Sequence, residues 1–314
     1  MTGKRIWQAV QVAFFVVAVA YFARAIARDW DQFSSLSSTL HPNWWMVVAS
    51  AGWVLASYVV LIETWRQIVT AWGGHLSWGS AARIWFISNL GRYVPGKVWQ
   101  IGAMGVLSQR AGVSSVAAVG SSLVVNVVNI LAGFLVVAVA GSRNLVSSPT
   151  AFVVALCVFC AAVIASPWLL PPLARLAQRV SGRNVPVPAI PPLAIIFAVA
   201  GCAVAWNLYG IAFRDLDVAL FGAAAGKTSA YTAVFILSYL MGYIAPFAPG
   251  GIGVREGFLI TLLAAAGLET GAKGETLVIV SRLWLTVIEA APGLILLAVS
   301  RRKSFHPTTE KHGP

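Results

Sequence analysis

Residues 243–257 read Tyr243-Ile244-Ala245-Pro246-Phe247-Ala248-Pro249-Gly250-Gly251-Ile252-Gly253-Val254-Arg255-Glu256-Gly257. Inside a long apolar segment, this stretch sets two prolines, a cluster of glycines and an Arg-Glu pair. Gly and Pro interrupt a helix, and charge resists hydrocarbon. Non-helical backbone at membrane depth survives only where protein buries it or where it lines a wet cavity. An ionisable residue there is a functional-site hypothesis by default. A second stretch has the same character: Ser88-Asn89-Leu90-Gly91-Arg92-Tyr93-Val94-Pro95-Gly96-Lys97-Val98-Trp99. The two are read as partners around one anion-binding cavity within a membrane.

Composition sets the class. The chain has 314 residues, of which 59% are apolar and only 10% charged, against roughly 25% charged in soluble domains. Mean hydropathy is +0.80. The net charge of +12 does not point to nucleic acid, because the cations sit between apolar runs rather than on one basic domain. Cys157, Cys160 and Cys202 all lie in apolar runs. The C-x-x-C spacing of the first two has no second pair or His beside it, so it reads as small apolar side chains in a helix.

Outward from the two broken stretches, the chain divides into apolar runs. Ile6–Ala27 is about as long as a full span, roughly 20 residues, and reads as a retained first helix rather than a cleaved leader. Further spans are expected at Trp44–Val69, Val113–Ala140, Ala151–Leu170, Leu193–Phe213 and Leu277–Val299. Gly79–Leu90 and Val98–Ser108 are too short to cross a core of about 30 Å at about 1.5 Å per residue. With Ser88–Trp99 between them, they predict a re-entrant hairpin. Ser229–Ala245 and Ile252–Leu268 flank the second broken element. Arg214, Asp215, Asp217 and Lys227 are read as a loop. The larger share of the 22 Lys and Arg falls on one side if both termini are cytoplasmic, as the positive-inside rule requires. The two broken elements then enter from opposite faces. They share a loose pattern, Ser88-x-Leu90-Gly91 against Ser238-x-Leu240-x-Gly242, the signature of inverted repeats in transporters. Two unrelated Gly/Pro kinks is the competing reading.

At Arg92-Tyr93-Val94-Pro95-Gly96-Lys97-Val98-Trp99 and Pro249-Gly250-Gly251-Ile252-Gly253-Val254-Arg255-Glu256-Gly257 the chain resembles the lysylphosphatidylglycerol synthase transmembrane-region family. That family includes the flippase-like half of the bacterial MprF proteins and stand-alone relatives. The resemblance covers residues 5–300. It implies an integral membrane protein that moves a lipid with a charged or sugar head group between leaflets. In MprF proteins a cytosolic aminoacyl-transferase domain follows. Here a polar tail follows Arg301, so lipid lysylation is not expected of this chain.

The residues themselves suggest anion chemistry. Gly250-Gly251-Ile252-Gly253 leads into a helix, as Pro95-Gly96 does, and exposed N–H groups at a helix start attract anions. A cation in a first turn opposes the helix dipole. Lys97 and Arg255 are therefore poorly placed for helix stability and well placed for a phosphate. Glu256 in the same turn serves either the dipole or coupling to proton or substrate. Arg282 and Glu289 lie seven apart on one face of the last span. Each costs roughly 2.5–3.5 kcal/mol at a span's centre, so both should face protein. Glu63 with Arg66, at i and i+3, reads as a structural pair. Asn126 and Asn129 read as interhelical glue. The 13 Trp fit interfacial belts, Trp44-Trp45 especially. No metal spacing exists among the four histidines. The glycine run Gly222–Thr228 is one residue short of a P-loop and lacks a strand before it.

The expected fold class is all-α, a polytopic membrane helical bundle of about eight membrane elements, roughly six full spans plus two re-entrant or broken elements in inverted-repeat arrangement. Residues 1–300 form one membrane domain, and 301–314 a cytoplasmic tail. The expected function is a lipid flippase of the bacterial inner membrane acting on an anionic phospholipid or a polyprenyl-phosphate-linked lipid. The alternatives are a membrane-embedded enzyme acting on a lipid phosphate, or a scaffold for a lipid- or glycan-modifying synthase. The expected substrate contacts are Arg92, Tyr93, Pro95, Gly96, Lys97, Pro249, Gly250, Gly251, Gly253, Arg255, Glu256, Arg282 and Glu289. No cofactor, no metal and no nucleic acid is expected, and oligomeric state stays open.

Overall fold

Several of the described helices begin or end at a residue suited to that place. The computed structural model describes residues 42–93, 98–141, 191–245 and 251–304. They form α1 (Trp44–Ala71), α2 (Trp78–Asn89), a 3-10 turn (Leu90–Tyr93), α3 (Val98–Arg110) and α4 (Ser115–Gly141). After these come α5 (Pro192–Phe221), α6 (Thr228–Ile244), α7 (Val254–Ala265) and α8 (Gly271–Ser304), with no strand among the described residues. Asn43 caps α1, and Ser77 caps α2 by accepting the Ser80 N–H. Pro near the start of α5 needs no intrahelical donor there. Gly222, at φ 84°, stops α5 in the left-handed conformation that glycine tolerates.

The molecule is a polytopic helical bundle. α1, α4, α5 and α8 are each long and apolar enough to cross a membrane. Their outward faces stay apolar: Val48, Val59, Ile196, Phe197, Leu283, Val287 and Ile295 are all exposed, as a lipid-facing surface requires. Trp44 and Trp45 are exposed at the start of α1. The spans expected at 6–27 and 151–170 lie outside the described residues, as do Arg175, Arg179, Arg183, Cys157 and Cys160.

α1 and α5 form the most extensive pairing. The Asn43 N–H donates to the Ala219 carbonyl at 2.8 Å, and the Ser50 hydroxyl to the Ala212 carbonyl at 2.8 Å. Farther along, Gly201 lies against Thr64, whose Oγ1 would sit 2.3 Å from any Cβ added there. Residue numbers rise on α1 as they fall on α5, so the two helices are antiparallel. Arg66 clasps Glu63 through two hydrogen bonds of 2.7 Å on α1, the structural pair the spacing suggests.

One expectation is corrected. Arg214, Asp215 and Asp217 do not form a loop; they lie in the last turns of α5. Their partners make this tolerable. Asp215 takes the Trp53 indole N–H at 3.2 Å and lies 3.4 Å from Arg214. Asp217 is fully buried and accepts the Tyr231 hydroxyl, whose oxygen takes the Ala225 N–H at 3.0 Å. A sequence pattern shows charges but not the partners that allow a helix to retain them.

Two hairpins of short helices complete the bundle. α2 and α3 pack together, with the 3-10 turn between them. Their closure is tight: a Cβ at Gly91 would lie 2.7 Å from the Gln100 nitrogen. The Gln100 amide donates to Asn89 Oδ1 at 2.6 Å across the same closure. α6 and α7 close likewise. A Cβ on Gly251, which has φ 72°, would lie 3.0 Å from the Gly242 backbone.

Gly251→Ala is expected to lower the thermal unfolding midpoint in detergent. Left-handed backbone costs about 1–2 kcal/mol, and forced overpacking about 1–3 kcal/mol. Gly52→Ala on α1, where nothing lies within 4 Å of an added Cβ, should leave the midpoint unchanged or raise it, since Ala improves a helix interior by about 0.5–1 kcal/mol.

Candidate functional site

The second hairpin builds a buried charge cluster from the start of α7. Gly253 precedes the helix with φ 86°, a conformation that a Cβ would strain. That turn places Arg255 and Glu256 in the first helical turn, both buried at 4% and 3% exposure. Glu256 folds back on its own helix. Its Oε2 accepts the Gly253 N–H at 2.7 Å, half of a capping box, since glycine has no side chain to complete the exchange. Its Oε1 lies 3.4 Å from Arg282 Nη1 on α8, long for a hydrogen bond but close for an ion pair. A carboxylate of the protein itself thus caps the N-terminus that the glycine run prepares.

Arg255 turns the other way. Its guanidinium carbon lies 4.9 Å from the ring centre of Phe235 and 5.1 Å from that of Tyr239. These two rings are four residues apart on α6 and so share a face. Contact of this kind contributes about 0.5–2 kcal/mol. Gly242 makes the approach feasible, because a Cβ there would lie 2.9 Å from the Arg255 Cβ. Arg255 Nη2 is buried without a hydrogen-bond partner among the described residues. An unsatisfied buried charged donor is costly and calls for an explanation. The charges of Arg282, Glu256 and Glu289 all act on Arg255. Glu289 is itself buried, two turns beyond Arg282 on α8. Two cations and two carboxylates therefore gather where α6, α7 and α8 meet.

Tyr239 connects this cluster to a cavity. It packs against Trp206 at 5.4 Å and Tyr209 at 6.5 Å between ring centres. All three rings line a cavity, open on one side, to which α1, the α2–α3 hairpin, α4, α5 and α6 all contribute. Its polar lining includes Gln100, Ser122, Asn126 and Asn129. The Tyr243 hydroxyl donates to Asn126 Oδ1 at 3.1 Å, joining α6 to α4. The Trp206 indole N–H donates to the Asn129 carbonyl at 2.8 Å, joining α5 to α4. Asn126 is thus interhelical glue, as its position suggests. Asn129 holds its neighbour through the backbone and leaves its side chain to the cavity.

The sequence profile of the lysylphosphatidylglycerol synthase TM region matches residues 8–293. The match spans both hairpins and α8 as far as Gly293. The chain belongs to that family. No curated protein matches the sequence.

In this lysylphosphatidylglycerol synthase TM-region chain, the structure brings together Gly251, Gly253, Arg255, Glu256, Arg282 and Glu289. Arg92 and Tyr93 lie in the 3-10 turn, where only the backbone is described. Pro95, Gly96, Lys97, Pro249 and Gly250 lie outside the described residues. The 3-10 turn nevertheless packs on α8, the helix that carries Arg282 and Glu289. The contact is seated at Gly293, where an added Cβ would meet the Phe86 carbonyl at 2.6 Å and the Leu90 side chain at 3.0 Å. Sequence reasoning missed Phe235, Tyr239 and the aromatic walls of the cavity, and it named Gly242 only as part of a repeat pattern, not as the place where Arg255 passes. An aromatic pair at i and i+4 is usually core, so its role as a seat for Arg255 shows only in three dimensions.

Two substitutions separate the functions of Glu256. Glu256→Gln keeps an acceptor for the Gly253 N–H but loses the charge; Glu256→Ala loses both and should cost a further 0.5–2 kcal/mol or about that. A cycle of Glu256→Gln with Arg282→Gln, read by denaturant unfolding in detergent, should give a coupling of about 0.5–3 kcal/mol. Strict additivity would mean that the two residues do not pair.

Proposed function

We propose that this protein is a lipid translocase of the bacterial inner membrane, with both termini cytoplasmic, that carries an anionic phospholipid or a polyprenyl-phosphate-linked lipid between leaflets. The observation that supports this reading best is the buried Arg255 with its unpartnered Nη2. A guanidinium fits the oxygens of a phosphate. Arg282 lies in the same cluster, and Glu256 and Glu289 supply counter-charge whenever the site holds no head group.

In this reading the two short-helix hairpins are re-entrant elements from opposite faces. Three features support it. α2 and α3, of 12 and 13 residues, reach only about 18–20 Å at about 1.5 Å per residue. Both hairpins close through a glycine, Gly91 onto Gln100 and Gly242 onto Gly251. In each, the glycine meets the residue nine positions later. Arg92, Lys97, Pro249 and Gly250 lie in sequence between the paired helices and are proposed to take part in passing the head group between them.

The test is leaflet accessibility of a fluorescent phosphatidylglycerol in proteoliposomes, read by bleaching with dithionite. The wild-type chain should expose the inner-leaflet pool that protein-free vesicles protect. Arg255→Ala and Arg255→Lys should slow the exchange at least about tenfold, as expected for losing a charged hydrogen bond of about 1.5–3 kcal/mol. No acceleration for any anionic lipid over empty vesicles would defeat the proposal. A changed lipid mass after incubation would point instead to an enzyme.

A further inference from the structure

Away from the Arg255 cluster, one ionisable side chain is buried still more completely. Asp217, near the end of α5, is 0% exposed, and its Oδ1 has no hydrogen-bond partner among the described residues. We propose that Asp217 is a proton-binding site, and that the proton it takes and releases is coupled to movement of the α6–α7 hairpin. The coupling rests on the translocase reading; the binding site stands without it.

The order of hydrogen bonds around the carboxyl assigns the proton to one atom. The Ala225 N–H donates to the Tyr231 oxygen at 3.0 Å. The hydroxyl's single hydrogen is then left for Asp217 Oδ2. Oδ2 is therefore an acceptor, and Oδ1 is the oxygen that binds a proton. Uptake moves one proton from water to Oδ1 and turns the carboxylate into a carboxylic acid; release returns it to water. Left ionised, the carboxyl would hold its charge where Oδ1 finds no donor. An isolated buried carboxylate costs far more than a neutral polar group in the same place.

The surroundings admit a proton and give it something to move. Glu269, in the turn before α8, and Lys273, in the first turn of α8, act on Asp217 with opposite charges. Lys273 is exposed, and its ammonium lies 5.4 Å from the centre of the Phe221 ring. On α5 itself, Arg214 and Asp215 pair with each other. Tyr231 faces Asp217 from α6, where Lys227 precedes the helix and is exposed. α1 carries no charged residue before Glu63. The loop from α5 to α6 covers the site, and its Gly222, Ala223 and Ala225 are exposed, so water stands a loop's thickness away. Gly226 of that loop meets Leu268, just beyond α7: an added Cβ would lie 2.5 Å from Leu268 Cδ2. Both ends of the α6–α7 hairpin thus gather beside Asp217, while its far end carries Arg255. With both termini cytoplasmic, Asp217 stands at the outer end of the bundle. A neutral carboxyl lets α5 and the root of the hairpin stay packed; an ionised one draws in water and loosens them.

The test compares wild type with Asp217→Asn, which copies the protonated carboxyl: its carbonyl accepts the Tyr231 hydroxyl and its amide replaces Oδ1. Thermal unfolding midpoints are read in detergent from about pH 5 to about pH 8. A proton held more tightly by the fold than by the unfolded chain stabilises most at low pH, and that gain is lost as pH rises. The midpoint of wild type relative to Asp217→Asn should therefore fall by at least about 2 °C across the range. A difference that stays constant or grows with pH would mean a permanently ionised, structural carboxylate, and would overturn the binding site. Should Asp217→Asn fail to fold, infrared spectra of wild type and Tyr231→Phe decide instead. The band of an un-ionised carboxyl should persist to higher pH in Tyr231→Phe, because the ionised form has lost its donor; an unshifted band would overturn the assignment. Coupling is read by extraction of a fluorescent phosphatidylglycerol from proteoliposomes into albumin at the same set of pH values. The exchange rate should vary at least about threefold with pH in wild type and stay flat in Asp217→Asn. An equal pH response in the variant would overturn the coupling. Absence of exchange in wild type at every pH would defeat the translocase reading, while the unfolding comparison still decides the proton site.

Discussion

A guanidinium held away from water is the constraint to which this bundle is fitted. Arg255 begins a helix, where its charge opposes the dipole, and it is almost wholly buried. Three compensations surround it. Phe235 and Tyr239 offer ring faces. Glu256 and Glu289 offer opposite charge. Gly242 gives up a side chain so that the stem can pass. Each is incomplete, and the unpartnered Nη2 records the remainder. A membrane protein retains such a group at a cost in stability, which is why intramembrane charge is a guide to function.

The same economy governs the backbone around it. Gly251 and Gly253 both adopt positive φ, so the chain can turn directly into α7 and deliver Arg255 and Glu256 side by side in sequence but apart in role. One residue faces the aromatic wall, and the other caps its own helix and reaches α8. The first hairpin uses a comparable device at Gly91. α8 touches both hairpins, near Arg282 for the second and at Gly293 for the first. Those positions stand roughly 16 Å apart along the helix axis at about 1.5 Å per residue.

Much of this was legible in the residue order. Apolar runs separated by polar breaks gave the helices, and short runs beside Gly and Pro gave the hairpins. Arg255, Glu256, Arg282 and Glu289 stood out because charge is rare in such a chain. What the order could not show was pairing across the fold. Asp215 and Asp217 looked like loop residues because Trp53 and Tyr231, their partners, come from other helices. Phe235 and Tyr239 looked like core because aromatic residues usually are. The cavity was illegible for the same reason: Gln100, Asn129 and Trp206 lie far apart in sequence, and only the packing of α3, α4 and α5 brings them to one cavity.

Between the two seats on α8 stands Pro292. Proline has no N–H to offer, so the carbonyl of Ile288 loses its ordinary helical partner at that level. The ring also crowds the preceding turn, and helices bend at such points. The helix nevertheless runs on without a break from Gly271 to Ser304, so one carbonyl fewer ties the segment that bears Arg282 to the one that bears Gly293.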